Sequence, residues 1–189
     1  VVGRIVLRAA DAPRVPAHYS DLASSVSEYL ADVMKLADDQ REKDRTLADL
    51  RREGDFKLAS APYDPTVAPV DKGVTPLIDM LPLQNASDHL TRAAADADAV
   101  LAREDKLPPG TQARINASLN EIDELLLDPQ GLPGRPWYKN LISAPGTLTG
   151  YGAKTLPAVR EAIEQRRFDD ASAYVQRTAA VIESYANRL

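Results

Sequence analysis

The chain has 189 residues and a formal net charge of -5, from 23 basic and 28 acidic side chains. That size fits one domain with an extension, and the acidic balance argues against a general phosphate-binding surface. Cysteine is absent and the two histidines, His18 and His89, lie far apart in sequence. Disulfides and cysteine nucleophiles are thereby excluded, and a self-sufficient zinc hydrolase is not expected.

The opening run Val1-Val2-Gly3-Arg4-Ile5-Val6-Leu7-Arg8 carries two arginines in an apolar stretch too short for a secretory leader. No stretch approaches the roughly 20 apolar residues of a membrane span. The start without Met, inside an apolar segment, has two readings: a piece of a longer protein, or a chain short of a few residues. A short strand is allowed at residues 4–8 or in the proline-rich segment described below.

Glycine is scarce (9 residues), and period-two runs of Val, Ile and Thr are missing, so the chain reads as all-α. A first long helix is expected over His18–Arg52. Leu22, Val26, Tyr29, Leu30, Val33 and Leu36 repeat there at three- and four-residue steps and form one apolar stripe. Pro13 and Pro16 bound it on one side and Gly54 on the other. Its second half, Asp38–Arg45, is charged all round and reads as a solvated face, with a partner surface as the alternative.

Residues 55–82 hold Pro62, Pro65, Pro69, Pro76 and Pro82 and keep no helical period. Phe56, Leu58, Tyr63, Val67, Val70, Leu77, Ile78, Met80 and Leu81 make this excursion too apolar for a free linker, and it is expected to wrap over the helices or over a neighbouring domain. A second helix is expected over Leu83–Asp105, with Ala86, Leu90, Ala93, Ala94, Ala97 and Leu101 as its stripe. After the break Pro108-Pro109-Gly110, Thr111 is the expected N-cap of a third helix. Its seam is Ile115, Leu119, Ile122 and Leu126, and Asp128-Pro129 ends it.

Residues 129–155 concentrate Pro and Gly around the single tryptophan, Trp137, a composition typical of a functional loop. Two helices close the chain. One starts near Thr155 as N-cap, with Pro157 in its first turn and Val159, Ala162 and Ile163 on its apolar side. The other starts near Asp169 and uses Ala171, Tyr174, Val175, Thr178, Val181, Ile182, Tyr185 and Leu189.

No catalytic set assembles from these residues. His18 reads as a helix-start residue and His89 as a helix-surface residue. Neighbouring carboxylates such as Asp38 and Asp39 diverge on a helix and cannot converge on one ion, and Asp169 and Asp170 suit the positive end of a helix. Asn85-Ala86-Ser87 and Asn116-Ala117-Ser118 fit the glycosylation acceptor pattern but fall within expected helices. Gly146-Thr147-Leu148-Thr149-Gly150-Tyr151-Gly152 lacks the Gly-Lys-Ser/Thr ending of a phosphate loop. It is either a tight turn that presents the Tyr151 ring or a purely structural turn.

A longer ordered pattern runs Pro129-Gln130-Gly131-Leu132-Pro133-Gly134-Arg135-Pro136-Trp137-Tyr138-Lys139, then Ser143-Ala144-Pro145, then Gly150-Tyr151-Gly152-Ala153-Lys154-Thr155-Leu156-Pro157-Ala158-Val159-Arg160-Glu161-Ala162-Ile163. It resembles the C-terminal helical domain of the transferrin receptor and glutamate carboxypeptidase family, and the resemblance extends over nearly the whole chain. Arg4–Asp11 resembles the segment that joins the peptidase domain to this domain, and the proline-rich excursion resembles bacterial members.

The resemblance implies a bundle of four to five helices. Residues 1–16 would be a connector from a peptidase domain outside this chain, and 17–189 a homodimerisation domain with an excursion at about 55–82. It implies a non-catalytic chain packed on an M28-type zinc peptidase domain that holds the zinc ligands and the general-base Glu. No metal or other cofactor is then expected here. The expected partners are a second copy and the peptidase domain, with no nucleic acid, and an extracytoplasmic setting for the parent protein. In the carboxypeptidases the turn after the Ala-Pro lends a Lys-Tyr pair to the substrate pocket. Tyr151 matches the Tyr, Gly150 stands at the Lys position and Gly152 follows. The expected dimer contacts are Trp137, Tyr138, Tyr174, Thr178, Val181 and Tyr185. The alternative is a free-standing helical adaptor that binds other proteins through its long first helix.

Overall fold

A computed structural model describes residues 2–12, 17–61, 63, 66–103, 108–150 and 152–189. Helix α1 spans Val2–Ala10, where a short strand was one expectation. A strand needs a neighbour for its backbone groups and none is present among the described residues, whereas a helix satisfies them internally. Ile5, Val6 and Leu7 on α1 are exposed. Residues 13–16 of the expected connector lie outside the described residues.

Helix α2 runs Tyr19–Glu53, 35 residues, and Gly54 closes it in left-handed geometry. Its buried residues are Tyr19, Ala23, Val26, Leu30, Val33 and Ala37, at steps of four and three. They displace the expected stripe by part of a turn, so Leu22, Tyr29 and Leu36 flank the core rather than fill it. No side chain of the preceding residue caps α2. Its first two free amides, Tyr19 and Ser20, instead donate to the two carboxylate oxygens of Asp98, each at 3.0 Å.

In the second half of α2, Asp38, Asp39, Glu42, Lys43 and Arg45 are exposed, while Arg41, Asp44 and Arg51 hold the main chain of the proline-rich excursion. The excursion first forms a short helix α3, Asp55–Leu58, and then runs back extended over 66–80. Arg41 donates to the Pro76 carbonyl at 3.1 Å, and Arg51 donates to the Pro69 carbonyl and pairs with Asp71. Asp44 accepts the Thr75 amide at 2.8 Å and the Thr75 hydroxyl at 2.6 Å. Carbonyls that no sheet satisfies therefore find arginines, while Val67, Val70 and Leu77 point outward to solvent.

Helix α4 spans Leu81–Leu101, with Pro82 in its first turn. It begins two residues ahead of the expected start because Asp79 accepts the Leu81 amide at 2.9 Å. The expected end at Asp105 lies outside the described residues. Helix α5, Pro109–Asn120, also starts early. Proline at its first position gives up no hydrogen bond, so Thr111 sits inside the first turn and does not cap it. The expected continuous third helix breaks after Asn120 into a tighter 3-10 turn, Ile122–Leu126. Ile122 and Leu126 are buried, while Ile115 and Leu119 are half-buried. The tighter winding brings Ile122 and Leu126 onto the core as the chain turns toward the bridge between Leu127 and Asn140.

Strands β1, Ser143–Pro145, and β2, Ala153–Thr155, pair antiparallel with Ser143 opposite Thr155. Helix α6, Pro157–Glu164, is entered through Leu156 in left-handed geometry. Thr155, expected as its N-cap, ends β2 instead, and its hydroxyl accepts from Arg160 at 3.1 Å. Helix α7, Phe168–Ala186, follows directly. The core is one cluster in which α4 packs on α7 and α2, α6 packs on α7 and α2, and the 3-10 turn packs on α7. Among the described residues the fold is a mostly helical bundle with one very small sheet.

Removing the remote cap should be measurable. Asp98→Ala is expected to lower stability by about 1 kcal/mol, the usual loss for a helix cap, read as a lower urea midpoint with the slope unchanged.

Acid should weaken the fold through the same group. Burial alone would raise the Asp98 carboxyl, but the Ser20 and Tyr19 hydrogen bonds and the His18 charge together hold it below its ordinary value of 3.8. Hydrogen bonds likewise hold Asp44 low against its burial. A depressed carboxyl contributes stability above the unfolded value and loses it as pH falls through the folded value. The urea midpoint is therefore expected to drop from about pH 4 downward, less steeply in Asp98→Asn.

Candidate interaction site

Residues 127–156 carry little regular structure, and charged side chains hold them in place. Asp128 is the first hub. Its amide donates to the Lys139 carbonyl at 2.8 Å. Its carboxylate accepts the Gln130 amide at 2.8 Å and Arg177 Nε at 2.7 Å. Burial pushes this carboxyl up, yet the Arg177 hydrogen bond, the Gln130 amide and the Arg177 charge leave it below the usual range. Arg177 also lies 4.5 Å over the Tyr174 ring, and the Tyr174 hydroxyl donates to the Gly131 carbonyl at 3.0 Å.

Gly131 has a φ of 67°, and a Cβ there would lie 2.3 Å from the Pro136 carbonyl oxygen. Both the dihedral and the space demand glycine. The turn that Gly131 opens is closed by the Leu132 amide on the Tyr138 carbonyl at 2.9 Å. It leaves Trp137 68% exposed, with its ring tilted against Tyr138 at 6.1 Å between centroids.

The second hub is the buried pair Arg135 and Glu161, 2.7 Å apart. Arg135 also donates to the Pro145 carbonyl at the end of β1, and Glu161 receives the amide and hydroxyl of Thr147. From this base the loop between β1 and β2 emerges with Leu148 fully outside the fold. Of the glycines expected to turn it, Gly150 alone has a positive φ, 56°. At Gly146 a Cβ would approach the Thr149 hydroxyl to 2.4 Å, so a side chain there would require Thr149 to turn away. Gly152 is exposed and accepts the Gly146 amide at 3.0 Å. Tyr151 lies outside the described residues.

The expected dimer contacts divide in two. Trp137 is accessible, and Tyr138 and Val181 are partly so. Tyr174, Thr178 and Tyr185 are buried in the protomer itself. Tyr185 packs on Tyr19 at 6.5 Å between ring centroids. Their place on the partner-facing side is corrected: they lie on the α7 face that packs the protomer's own core. Asp128, Arg135, Glu161 and Arg177 were not singled out from sequence. The one available signal was Glu161, a carboxylate three residues after Ala158 and so on the apolar side of a short helix that also carries Arg160 and Glu164.

The acidic pairs serve the fold. Asp38 pairs with Arg41, Asp39 with Lys35, and Asp170 with Arg167. His89 meets Glu183 at 2.6 Å across α4 and α7. Among the described residues, no three His, Asp or Glu side chains converge as metal ligands, and no helix is long and apolar enough to cross a membrane.

The model of the transferrin receptor-like dimerisation domain family matches residues 78–189, more than half of the chain. A protein of Arabidopsis thaliana named "Probable glutamate carboxypeptidase" is 40% identical over 53 residues. That match covers 28% of this chain and 8% of the plant protein, so the chain corresponds to a small part of this relative's length. With its helical fold and ordered 129–163 segment, the chain belongs to the transferrin receptor-like dimerisation domain family.

Proposed function

We propose that this chain is the non-catalytic homodimerisation domain of a zinc-dependent, carboxypeptidase-like protein. A peptidase domain outside this chain supplies the zinc and its ligands, and the chain packs on that domain and on a second copy of itself. The observation that carries the reading is the family match over 78–189, with the name of the plant relative pointing to the carboxypeptidase branch. An accessible Trp137 beside half-buried Tyr138 supports the self-association, because aromatic side chains held by a rigid turn are common interface anchors. The adaptor alternative has less support, since one side of the charged half of α2, Arg41, Asp44 and Arg51, is engaged by the chain's own residues 69–76.

In this reading the loop between β1 and β2 faces the substrate pocket and lends it Tyr151. Gly150 brings no charge, and Lys154 is engaged by both carboxylate oxygens of Glu164 at 2.7 and 2.8 Å. The loop therefore offers the pocket no free ammonium among its described residues. A substrate with a neutral C-terminal residue should be preferred over an acidic one.

Sedimentation equilibrium of the full-length parent tests the first part. A dimer at tens of micromolar is expected, and Trp137→Ala should weaken it by about 2 kcal/mol, roughly thirtyfold in Kd. A strictly monomeric parent would overturn the reading.

Steady-state kinetics of the parent test the second part. Tyr151→Phe is expected to lower kcat/KM about tenfold on the best substrate, with folding and dimerisation intact, since it removes one pocket hydroxyl. Unchanged kinetics return the loop to a structural turn.

A further inference from the structure

We infer that Glu161 is a positioning residue: its buried carboxylate, shared between Arg135 and Thr147, sets the direction in which the β1–β2 loop leaves the fold. The inference rests on the loop's proposed place at the substrate pocket, and it assigns the group that fixes that place.

Glu161 is 5% exposed and sits on α6 beside buried Ala158, Val159, Ala162 and Ile163. A carboxylate in such surroundings is costly unless its lone pairs are filled by strong donors. Here they are filled from two directions. Oε1 accepts the Thr147 amide at 2.7 Å. Oε2 accepts the Thr147 hydroxyl at 2.9 Å and Arg135 Nη2 at 2.7 Å. The same guanidinium holds the Pro145 carbonyl.

Three consecutive residues are thus fixed before the loop turns outward. Pro145 is held by Arg135, Gly146 by its amide on the Gly152 carbonyl and its carbonyl on the Gly150 amide, and Thr147 by Glu161 through main chain and side chain. On the return limb, the Gly152 carbonyl accepts from Gly146, and Lys154 is tied to Glu164. Between these anchors Leu148 is 89% exposed. A purely apolar α6 would pack the core equally well, since buried ion pairs seldom add net stability over apolar side chains of similar size. What the pair adds is a direction: three charge-assisted bonds, to the Pro145 carbonyl and to the Thr147 amide and hydroxyl, that a loop on an apolar base would lack.

The test compares variants in this chain and in the full-length parent. Thr147→Val keeps the side-chain volume and the amide but removes the hydroxyl donor, and Thr147→Ser keeps the donor. In Thr147→Val, amide exchange at residues 147–150 is expected to rise about tenfold, the scale for losing one hydrogen bond to a charged acceptor. Exchange in α7 should be unchanged. In the parent, kcat/KM should fall about fivefold, mostly through KM, and Thr147→Ser should restore both readouts. Unchanged loop exchange in Thr147→Val overturns the inference. So does altered exchange with unchanged kinetics in a parent that Tyr151→Phe does impair. If neither Tyr151→Phe nor Thr147→Val alters the kinetics, the pocket reading itself has failed, and the catalytic consequence of Glu161 falls with it. Glu161→Gln adds a stronger perturbation of the same contact, and wild-type loop exchange in a folded Glu161→Gln also overturns the inference.

Discussion

Close contact between α4 and α7 is the constraint on which the other elements depend. Ala86, Ala94 and Ala97 on α4, and Ala171, Ala179 and Ala186 on α7, are all buried. Small side chains at helical spacing let two helix backbones approach closely, leaving the larger Leu83, Leu90, Val175 and Ile182 to fill the remaining space. The other elements attach to this pair. α2 lies on α4, and α6 and the 3-10 turn lie on α7. Asp98, half-buried to one side of the α4 stripe, reaches the first amides of α2 and so sets where that helix begins. A packing decision on one helix thus becomes the starting point of another.

Buried and half-buried charges do a different job from the apolar core. Each sits where a long connection has no secondary structure to satisfy its backbone. Arg177 and Asp128 hold the segment after the 3-10 turn. Arg135 and Glu161 hold the base of the β1–β2 loop. Arg166, itself in left-handed geometry at φ 59°, pairs with Asp44 at 2.9 Å and donates to the carbonyls of Lys72 and Gly73. Such pairs contribute little net stability against their desolvation, but they select one path for a chain that would otherwise have many. Long connections become rigid in this way, and loops held on a rigid base are where binding residues are most useful.

The apolar surface is distributed in keeping with this division. Helices α2, α4, α6 and α7 bury their stripes, while the apolar residues of α1, Trp137, Leu148 and the outer side of the proline-rich excursion remain accessible. Leu148 and Trp137 extend from segments whose bases are pinned by Glu161 and by the Gly131 turn. The excursion is pinned the other way round, with main-chain carbonyls turned to arginines and Val67, Val70 and Leu77 outward, while Thr75, Ile78 and Met80 are buried. Exposed apolar groups on stiff supports lose little conformational entropy when a partner covers them, which suits a family named for dimerisation.

The helical class, the length of α2, and the Gly- and Pro-rich 129–155 segment were legible in the sequence, because spacing at three and four residues and the placement of Pro and Gly are local properties of a chain. The family was legible as well, in the ordered run from Pro129 to Ile163. What only the tertiary structure decided were the pairings between distant positions. Asp98 caps α2 across 79 residues, Arg166 meets Asp44 across 122, and Arg135 meets Glu161 across 26. Nothing in the local pattern of a charged residue says which opposite charge will meet it. The same limit applies to α7, where Tyr174, Thr178 and Tyr185 look like contact residues by type and are core residues by position. Helical period tells which residues share a face, but the neighbour against that face is chosen by the packing of the whole chain.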